Sequence, residues 1–532
     1  MTLPAGADPM PVPAAGGADG LEREIGQIAR GAGVGLAGNV VNYGVAYLFG
    51  ILVARQIGAT EFGLYTLAVT AVTLLTRFTI MGLDRGLMRY ASISRGEGKG
   101  QTLRRLTLIA LALGTVTGLV GALLLWLEPE FVLRLFGWSG KPELIPLLMA
   151  FAISVPAITL IGVAIAGTQA FRTMRYRALV VNIIQPVLRL VVALLLIPVL
   201  GPTAMAPVLA FVVAQGVGMV LALFFLGRLI RTVPPSSEHQ AGLARGLVRF
   251  SAPLALSNVL DYMNGRTEII VIGIFLAANS AGVYNAAGRL AGLGLIVLTA
   301  FNAIFSPLIS DLHHRNEMVR LDSLNKLVTR WTMVCAMPIV LVQLVFAPQL
   351  MSLFGREFIP GATALRLLTL GQLVNFATGS VGVMLIMIGR SDIAFVNAIV
   401  NVAVALALDF WLVPRYGLLG AGIAGSLTLA LPNLLRLGEI WVLLRIHPFS
   451  RPFLKPFIAA IPATAAGLAW LRWLPLNGVL YLAAASSVMG LVYVAFTLLL
   501  RLDAADHMLL NALVARAFRG RRSGRRLPTA DR

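Results

Sequence analysis

The chain has 532 residues, 58% of them hydrophobic and only 12% charged, with a mean hydropathy of +0.85. Soluble domains carry about 25% charged residues, so a chain this apolar has lipid rather than water as its solvent. The net charge of +20 would point to nucleic acid in a soluble protein, but the placement of the charges along this chain argues against that partner.

Residues 1–24 open with a Pro-, Gly- and Ala-rich stretch that has neither a basic n-region nor an apolar h-region. They are expected to form a disordered cytoplasmic tail rather than a signal peptide. About twenty mostly apolar residues cross a bilayer core. Runs of that kind fall at 32–54, 62–82, 106–127, 144–168, 178–198 and 205–227, then at 251–275, 282–305, 328–348, 362–388, 392–412 and 418–441, and last at 456–473 and 478–500. The run at 251–275 is the most polar and that at 456–473 is short. The expected fold is an all-α integral membrane protein of about fourteen transmembrane helices. Its N-terminal lobe is 25–227 (spans 1–6), its C-terminal lobe 228–441 (spans 7–12), and 442–500 holds spans 13 and 14. Residues 501–532 form a basic cytoplasmic tail. There a short apolar pattern (Met508, Leu509, Leu513, Phe518) precedes the arginines from Arg516 to Arg526, as in a helix lying on anionic inner-leaflet lipid.

Lys and Arg mark the cytoplasmic side of short loops. The even-numbered loops hold Arg85, Arg89, Arg95, Lys99, Arg104 and Arg105, then Arg172, Arg175 and Arg177, then Arg228, Arg231, Arg245 and Arg249; Arg315, Arg320, Lys326 and Arg330 follow, and later Arg445, Arg451 and Lys455. The odd-numbered loops hold little beyond Arg55, Arg134, Lys141, Arg356, Arg415 and Arg472. Most of the 43 basic residues thus fall on one side, with both termini, and the high charge is mainly topological. The single cysteine, Cys335, permits no internal disulfide and no cysteine-based metal site.

A gapless shift of 219 residues aligns the two halves. Asn39, Val40 and Tyr43 fall on Asn258, Val259 and Tyr262. Ala59, Gly63, Tyr65 and Ala68 fall on Ala278, Gly282, Tyr284 and Ala287. The shift maps span 1 onto span 7 across an even number of spans, so the repeats run parallel. Such repeats form two six-helix lobes related by a pseudo-two-fold along the membrane normal, with substrate between them near the midplane.

A charge inside a span is costly and points to function or a specific partner. The basic residues within spans are Arg77, Arg189, Arg266, Arg289, Arg366 and Arg436; the acids are Asp261, Glu268, Asp409 and Glu439. Arg436 and Glu439 sit near a span end and are expected to snorkel or pair. Arg366 and Asp409 also lie near ends, where snorkelling competes with function. Asn182, Gln185 and Arg189 recur at i, i+3, i+7 and so form one stripe of an ideal helix, expected to face a cavity. In span 7, Asp261, Asn264 and Glu268 share a face, Asn258 and Tyr262 lie beside it, and Arg266 points roughly 140° away from Asp261. Asn285 and Arg289 share a face of span 8. The candidate anion-binding residues are Arg77, Arg189, Arg266, Arg289 and Arg366, because a guanidinium stays charged and pairs two donors with a phosphate. Asn42, Asn182, Gln185, Asn258, Tyr262 and Asn285 are candidate polar lining, and Asp261, Glu268 and Asp409 candidate proton or cation sites. The competing reading is structural, for example an ion pair of Glu268 with Arg289. Prolines 156, 186, 253, 338, 432 and 462 within spans are candidate kinks.

The chain has no G-x-x-x-x-G-K-[ST] loop and no H-E-x-x-H. His313-His314 reads as a solvated pair, and no external loop is long enough for a catalytic domain. The expectation is therefore no enzyme activity, no cofactor and no metal.

Three segments carry a resemblance: Ala54-Arg55-Gln56-Ile57-Gly58-Ala59-Thr60-Glu61-Phe62-Gly63-Leu64-Tyr65, Gly82-Leu83-Asp84-Arg85-Gly86-Leu87-Met88-Arg89-Tyr90 and Ala281-Gly282-Val283-Tyr284-Asn285-Ala286-Ala287. Together they resemble the polysaccharide (lipid-linked oligosaccharide) flippases, Wzx-type, of the multidrug/oligosaccharidyl-lipid/polysaccharide exporter superfamily. The resemblance covers about residues 25–500. It implies a bacterial inner-membrane transporter that moves undecaprenyl-pyrophosphate-linked glycan to the periplasmic leaflet through a cationic cavity between two lobes. The implied partners are the lipid-linked glycan, membrane lipids and the polysaccharide polymerase and export machinery, with no nucleic acid. The alternatives are an ion-coupled drug antiporter or a peptidoglycan-precursor flippase of the same superfamily and, from another class, a periplasmic-face glycan polymerase or ligase.

Overall fold

The computed structural model describes residues 18–171, 173–233, 243–474 and 478–500, with side chains from Gly38 onward. The basic tail at 501–532, Arg172 and most of the tail expected at 1–24 lie outside the described residues. The regular secondary structure of the described residues is all helical, and α1 begins at Ala18. Sixteen helices carry the architecture: α1 Ala18–Ile80, α2 Leu83–Gly96, α3 Gly100–Leu127, α4 Leu144–Ala152, α5 Ser154–Gln169, α6 Arg175–Leu200, α7 Met205–Arg231, α8 Leu243–Met263, α9 Thr267–Phe275, α10 Ala278–His314, α11 Met318–Val345, α12 Ala362–Thr378, α13 Val381–Met387, α14 Ser391–Leu444, α15 Lys455–Trp473 and α16 Val479–Leu499. Among the described residues nine helices are long and apolar enough to cross a membrane, or eleven when the bent pairs α4–α5 and the one ending in α13 each count as one span. This is a multi-pass membrane protein.

Two of those nine are each a pair of helices joined at a glycine. α1 breaks at Gly58 (φ 81, ψ 172) and α14 at Gly417 (φ 56, ψ −131). Glycine reaches such φ values at little cost. The α14 corner is tight: a Cβ on Gly420 would strike the Leu412 carbonyl, whereas one on Gly216 of α7 would meet open space. Gly420→Ala is therefore expected to lower apparent stability by about 1–3 kcal/mol and Gly216→Ala to leave it unchanged, as read from thermal unfolding of the purified protein in detergent. The prolines do not mark the sharpest breaks. The 45° bend between α4 and α5 falls at Ile153, ahead of Pro156, and the 46° bend between α12 and α13 at Gly379 and Ser380.

Within lipid, helices associate through close packing of small residues rather than through exclusion of water. α3 shows this with Gly114, Gly118 and Gly121 against α5 and α1; a Cβ on Gly118 would lie 2.8 Å from Pro156 Cα. Threonines 66, 70, 73, 76 and 79 return their hydroxyls to carbonyls three or four residues earlier, which satisfies them inside an apolar bundle. α1 and α3–α7 pack into one lobe and α9–α14 into a second, while α15 and α16 pack on each other and on α11.

The lobes meet along α1 and α10. A Cβ on Gly63 would strike the Ala278 carbonyl, and one on Gly282 would lie 2.5 Å from the Ala59 carbonyl. Asn285 donates to the Thr66 hydroxyl at 3.0 Å, across 219 residues. Ala59 and Ala278, Gly63 and Gly282, and Thr66 and Asn285 are the partners of the sequence repeat. Reciprocal contact between repeat-related residues is the signature of a two-fold axis, so the expected pseudo-two-fold passes through this crossing.

The symmetry breaks at the seventh span. Asn264-Gly265-Arg266 interrupts it between α8 and α9, where the repeat partner in α1 is the continuous Val45-Ala46-Tyr47. α9 packs on α14 of the second lobe, whereas α8 packs mainly on α2, α1 and α3 of the first. Leu247 is buried with Leu83 and Leu87, the Arg89 guanidinium lies 4.4 Å over the Phe250 ring, and Arg85 pairs with Asp261 at 3.5 Å. A lobe boundary drawn at 228 thus assigns α8 to the second lobe although its contacts are largely with the first. The break also overturns the single polar face expected for Asp261, Asn264 and Glu268, since no ideal wheel runs through it.

Candidate functional site

Between the lobes lies a cavity of about 660 Å³. α1 contributes Asn42, Tyr43, Tyr47, Tyr65, Thr70 and Thr73, α6 Arg189 and α7 Phe211. The broken seventh span brings Tyr262, Asn264, Gly265, Arg266 and Glu268; α10 brings Tyr284, Asn285 and Arg289, α12 Gln372 and α14 Gly425 and Thr428. Both halves of the chain are needed to build it.

Three arginines converge here. Arg189 stacks its guanidinium carbon 4.6 Å from the centroid of Phe49 and 5.8 Å from that of Phe211, which holds the cation over two aromatic faces. Arg289 donates Nη1 to the Ala46 carbonyl at 3.1 Å, and its own carbonyl accepts the Tyr47 hydroxyl at 2.6 Å. The Nε atoms of Arg189 and Arg289 are buried and have no partner among the described residues. Arg266 stands at the N-cap of α9 and lies, with Arg189, within electrostatic reach of Arg289. The amino end of α9 opens on the same space, and a helix amino end favours an anion. The arrangement concentrates guanidinium donors and one helix terminus in a site walled by tyrosines, which is chemistry for a multivalent anion.

Of the residues expected to form the site, Asn42, Arg189, Tyr262, Arg266, Glu268, Asn285 and Arg289 line the cavity. The others stand elsewhere. Arg77 lies 5.6 Å from the Tyr262 ring centroid, behind the lining. Arg366 is exposed and donates to the Leu344 carbonyl at 3.0 Å, so it belongs to the outer surface of its lobe. Asp261 is exposed beside Arg85. Asn258 is buried in α8 outside the lining. Asn182 donates to Asn39 at 3.0 Å and Gln185 to Gln215 at 2.9 Å, both inside the first lobe. The stripe loses Asn182 because Ala178–Ile184 is a π-helical segment, and it loses Gln185, which shares regular helix with Arg189, to the bond with Gln215. The wider π-helical turn shifts the register, so residues before Gln185 no longer share a face with Arg189.

Asp409 of α14 is fully buried, and neither carboxylate oxygen has a hydrogen-bond partner among the described residues. It neighbours Glu268 and Tyr284. A Cβ on Gly425 would lie 3.5 Å from Glu268 Oε1 and against the Tyr284 hydroxyl, which is itself 3.4 Å from the Ala421 carbonyl. No ion pair joins Glu268 to Arg289 among the described residues. The lining tyrosines 43, 47, 65 and 284 were missed from sequence, although Tyr43 is the repeat partner of Tyr262 and Tyr65 that of Tyr284.

The family model described as polysaccharide biosynthesis protein matches residues 28–313, more than half of the chain. The chain belongs to that family. It is a Wzx-type member of the multidrug/oligosaccharidyl-lipid/polysaccharide exporter superfamily. It is similar to the succinoglycan biosynthesis transport protein ExoT of Rhizobium meliloti, 25% identical over 496 residues covering 89% of this chain and 93% of that one. It is also similar to the probable low-salt glycan biosynthesis flippase Agl15 of Haloferax volcanii, 22% identical over 75% of this chain and 80% of that protein. Among solved structures it shares the fold of the lipid II flippase MurJ in an inward closed conformation, with a TM-score of 0.69 at 15% identity over 87% of this chain and 97% of that one. A multidrug resistance MATE family transporter in an inward-facing conformation follows at a TM-score of 0.60 and 17% identity, covering 76% and 94%. The named relatives are transporters and flippases.

Proposed function

We propose that this protein flips undecaprenyl-pyrophosphate-linked oligosaccharide from the cytoplasmic to the periplasmic leaflet of the inner membrane, to feed polysaccharide polymerase and export machinery. The observation that carries this reading is the convergence of Arg189, Arg266 and Arg289, drawn from both lobes, on one cavity in a family of polysaccharide proteins. A drug antiporter has no evident use for three guanidiniums facing its substrate. The lipid tail stays in the bilayer while the pyrophosphate is held by the arginines, and the lobes open alternately to either side. Moving a negative headgroup out of a negative interior is favourable by about 2.3 kcal/mol per charge per 100 mV. Glu268 and Asp409 are the proposed proton or cation site; Asp261, exposed in its pair with Arg85, is not part of it. The decisive experiment is deletion of the gene. Lipid-linked glycan should accumulate on the cytoplasmic leaflet, and normal export in the deletion strain would sink the proposal.

The proposed topology has fourteen spans with both termini in the cytoplasm. Reporter fusions at Glu97, Glu317, His239 (outside the described residues) and the C-terminus should report cytoplasm, and fusions at Glu128 and Glu357 periplasm. A periplasmic C-terminus would overturn the count.

A further inference from the structure

We infer that the crossing of α1 and α10 at Gly63 and Gly282 is the periplasmic gate, and that two oppositely charged latches, Glu357 and Lys141, hold it shut. The inference rests on the transport reading for its direction, not for its geometry. At the crossing the two backbones touch. A Cβ on Gly282 would lie 2.5 Å from the Ala59 carbonyl oxygen and 2.8 Å from the Gly63 nitrogen, and a Cβ on Gly63 would strike the Ala278 carbonyl. Real Cβ atoms do not approach backbone so closely, and backbone cannot swing aside as a long side chain can. The glycines are therefore required by this closed state and by nothing within either lobe, because each meets the other half of the chain. The Thr66–Asn285 hydrogen bond lies one turn further along the same pair of helices.

On either side of the crossing, each lobe reaches over to cap a helix end of the other. From the second lobe, Glu357 accepts the Ala59 amide at 2.9 Å, at the start of the helix that follows the Gly58 break. From the first lobe, Lys141 donates to the Gly273 carbonyl at 2.6 Å and Trp138 Nε1 to the Ile270 carbonyl at 3.1 Å, in the last turns of α9. A carboxylate at a helix start and an ammonium at a helix end each complement the helix dipole. The capping segments are repeat partners, Glu357 falling on Trp138 at the shift of 219, but one caps a helix start and the other a helix end, and they carry opposite charge. All of these groups lose their partners together if the lobes part at this end, which is what a gate between two packed states requires.

The test uses the full-length protein with Cys335→Ala, spin-labelled at Thr203→Cys and Arg415→Cys, exposed positions at this end in the first and second lobes. Distances are measured by pulsed electron resonance in lipid nanodiscs. The parent should show mainly one short distance. Gly63→Ala and Gly282→Ala should each cut the ratio of short to long distance at least tenfold, while Gly216→Ala leaves it unchanged. Glu357→Ala combined with Lys141→Ala removes both latches, adds no atom to the crossing and should shift the ratio the same way, so the test stands even where an added methyl prevents folding. Cross-linking Thr66→Cys to Asn285→Cys should abolish the long distance until reductant is added. Unchanged distances in the folded glycine variants, a shift with only one of the two glycines, or a long distance that persists in the cross-linked protein would overturn the gate. A shifted distance in a protein whose deletion strain exports glycan normally would instead overturn the transport reading and leave the gate standing.

Discussion

Replacing Arg189, Arg266 or Arg289 with Ala should reduce export by roughly tenfold to a hundredfold while protein abundance stays near normal. Each variant loses one charge-assisted contact to a phosphate, which costs about 1.5–3 kcal/mol, at about 1.4 kcal/mol per tenfold change in affinity. Arg266 is the cleanest test, since it stands at the N-cap of a short helix and makes no side-chain hydrogen bond or ion pair among the described residues. Arg289→Ala also frees the Ala46 carbonyl, so its effect should be the largest. Lys at these positions should restore export only in part, because an ammonium keeps the charge but not the paired donors. Arg366→Ala, on the outer surface of the second lobe, should export normally. The measurement is surface polysaccharide per unit of membrane-inserted protein. If the arginines served only to neutralise Glu268, then Glu268→Gln would restore export to Arg289→Ala. No restoration is expected, because Glu268 faces Tyr284 and Gly425 rather than Arg289.

Much of this fold is legible in the sequence because lipid simplifies the problem. A span must satisfy its backbone within itself, so an apolar run of sufficient length is almost always a helix. The repeat is legible for a related reason: positions 59, 63 and 66 and their partners 278, 282 and 285 lie on the axis, where each half meets the other. The seventh span was identified as unusual through its polarity, but the consequence of Asn264-Gly265-Arg266 was not. A Gly flanked by polar residues is a turn signal, and hydropathy alone does not register it. The break turns Arg266 and Glu268 onto the cavity together, against the ideal wheel.

The stripe on α6 was misread for a local reason. Nothing in Ala178–Ile184 announces a π-helical turn, and its wider turn is enough to send Asn182 into the first lobe, while Gln185, in regular helix with Arg189, is drawn aside by its bond to Gln215. The tyrosines were overlooked because Tyr in an apolar run is ordinarily a membrane-interface residue. Here Tyr43, Tyr47, Tyr65 and Tyr284 sit in the lining, where the Tyr47 hydroxyl donates to the Arg289 carbonyl and that of Tyr284 to the Ala421 carbonyl. Lys141 looked like a stray charge in a short loop, and only its bond to Gly273, far along the chain, gives it a role.

Asp409→Asn should raise the apparent melting temperature of the purified protein and reduce export at least tenfold. The two effects have one cause. A carboxylate that is fully buried, with no hydrogen-bond partner among the described residues, carries a desolvation cost of several kcal/mol if it is ionised. Glu268, its neighbour on α9, adds like charge rather than relief. Such an arrangement works against stability, and a cation or proton that joins the two acids removes the conflict. Asparagine fills the same space without the charge, so the resting protein gains stability and loses the site. Linkage supplies the test. A ligand that binds only the folded state stabilises it by RT ln(1 + [L]/Kd), so the melting temperature of the parent should climb with sodium concentration or with acidification. In Asp409→Asn, and separately in Glu268→Gln, that dependence should vanish. A parent whose melting temperature responds to neither ion, or an Asp409→Asn variant that exports at the normal rate, would remove the carboxylate pair from the transport cycle and leave the substrate gradient and membrane voltage as its driving forces.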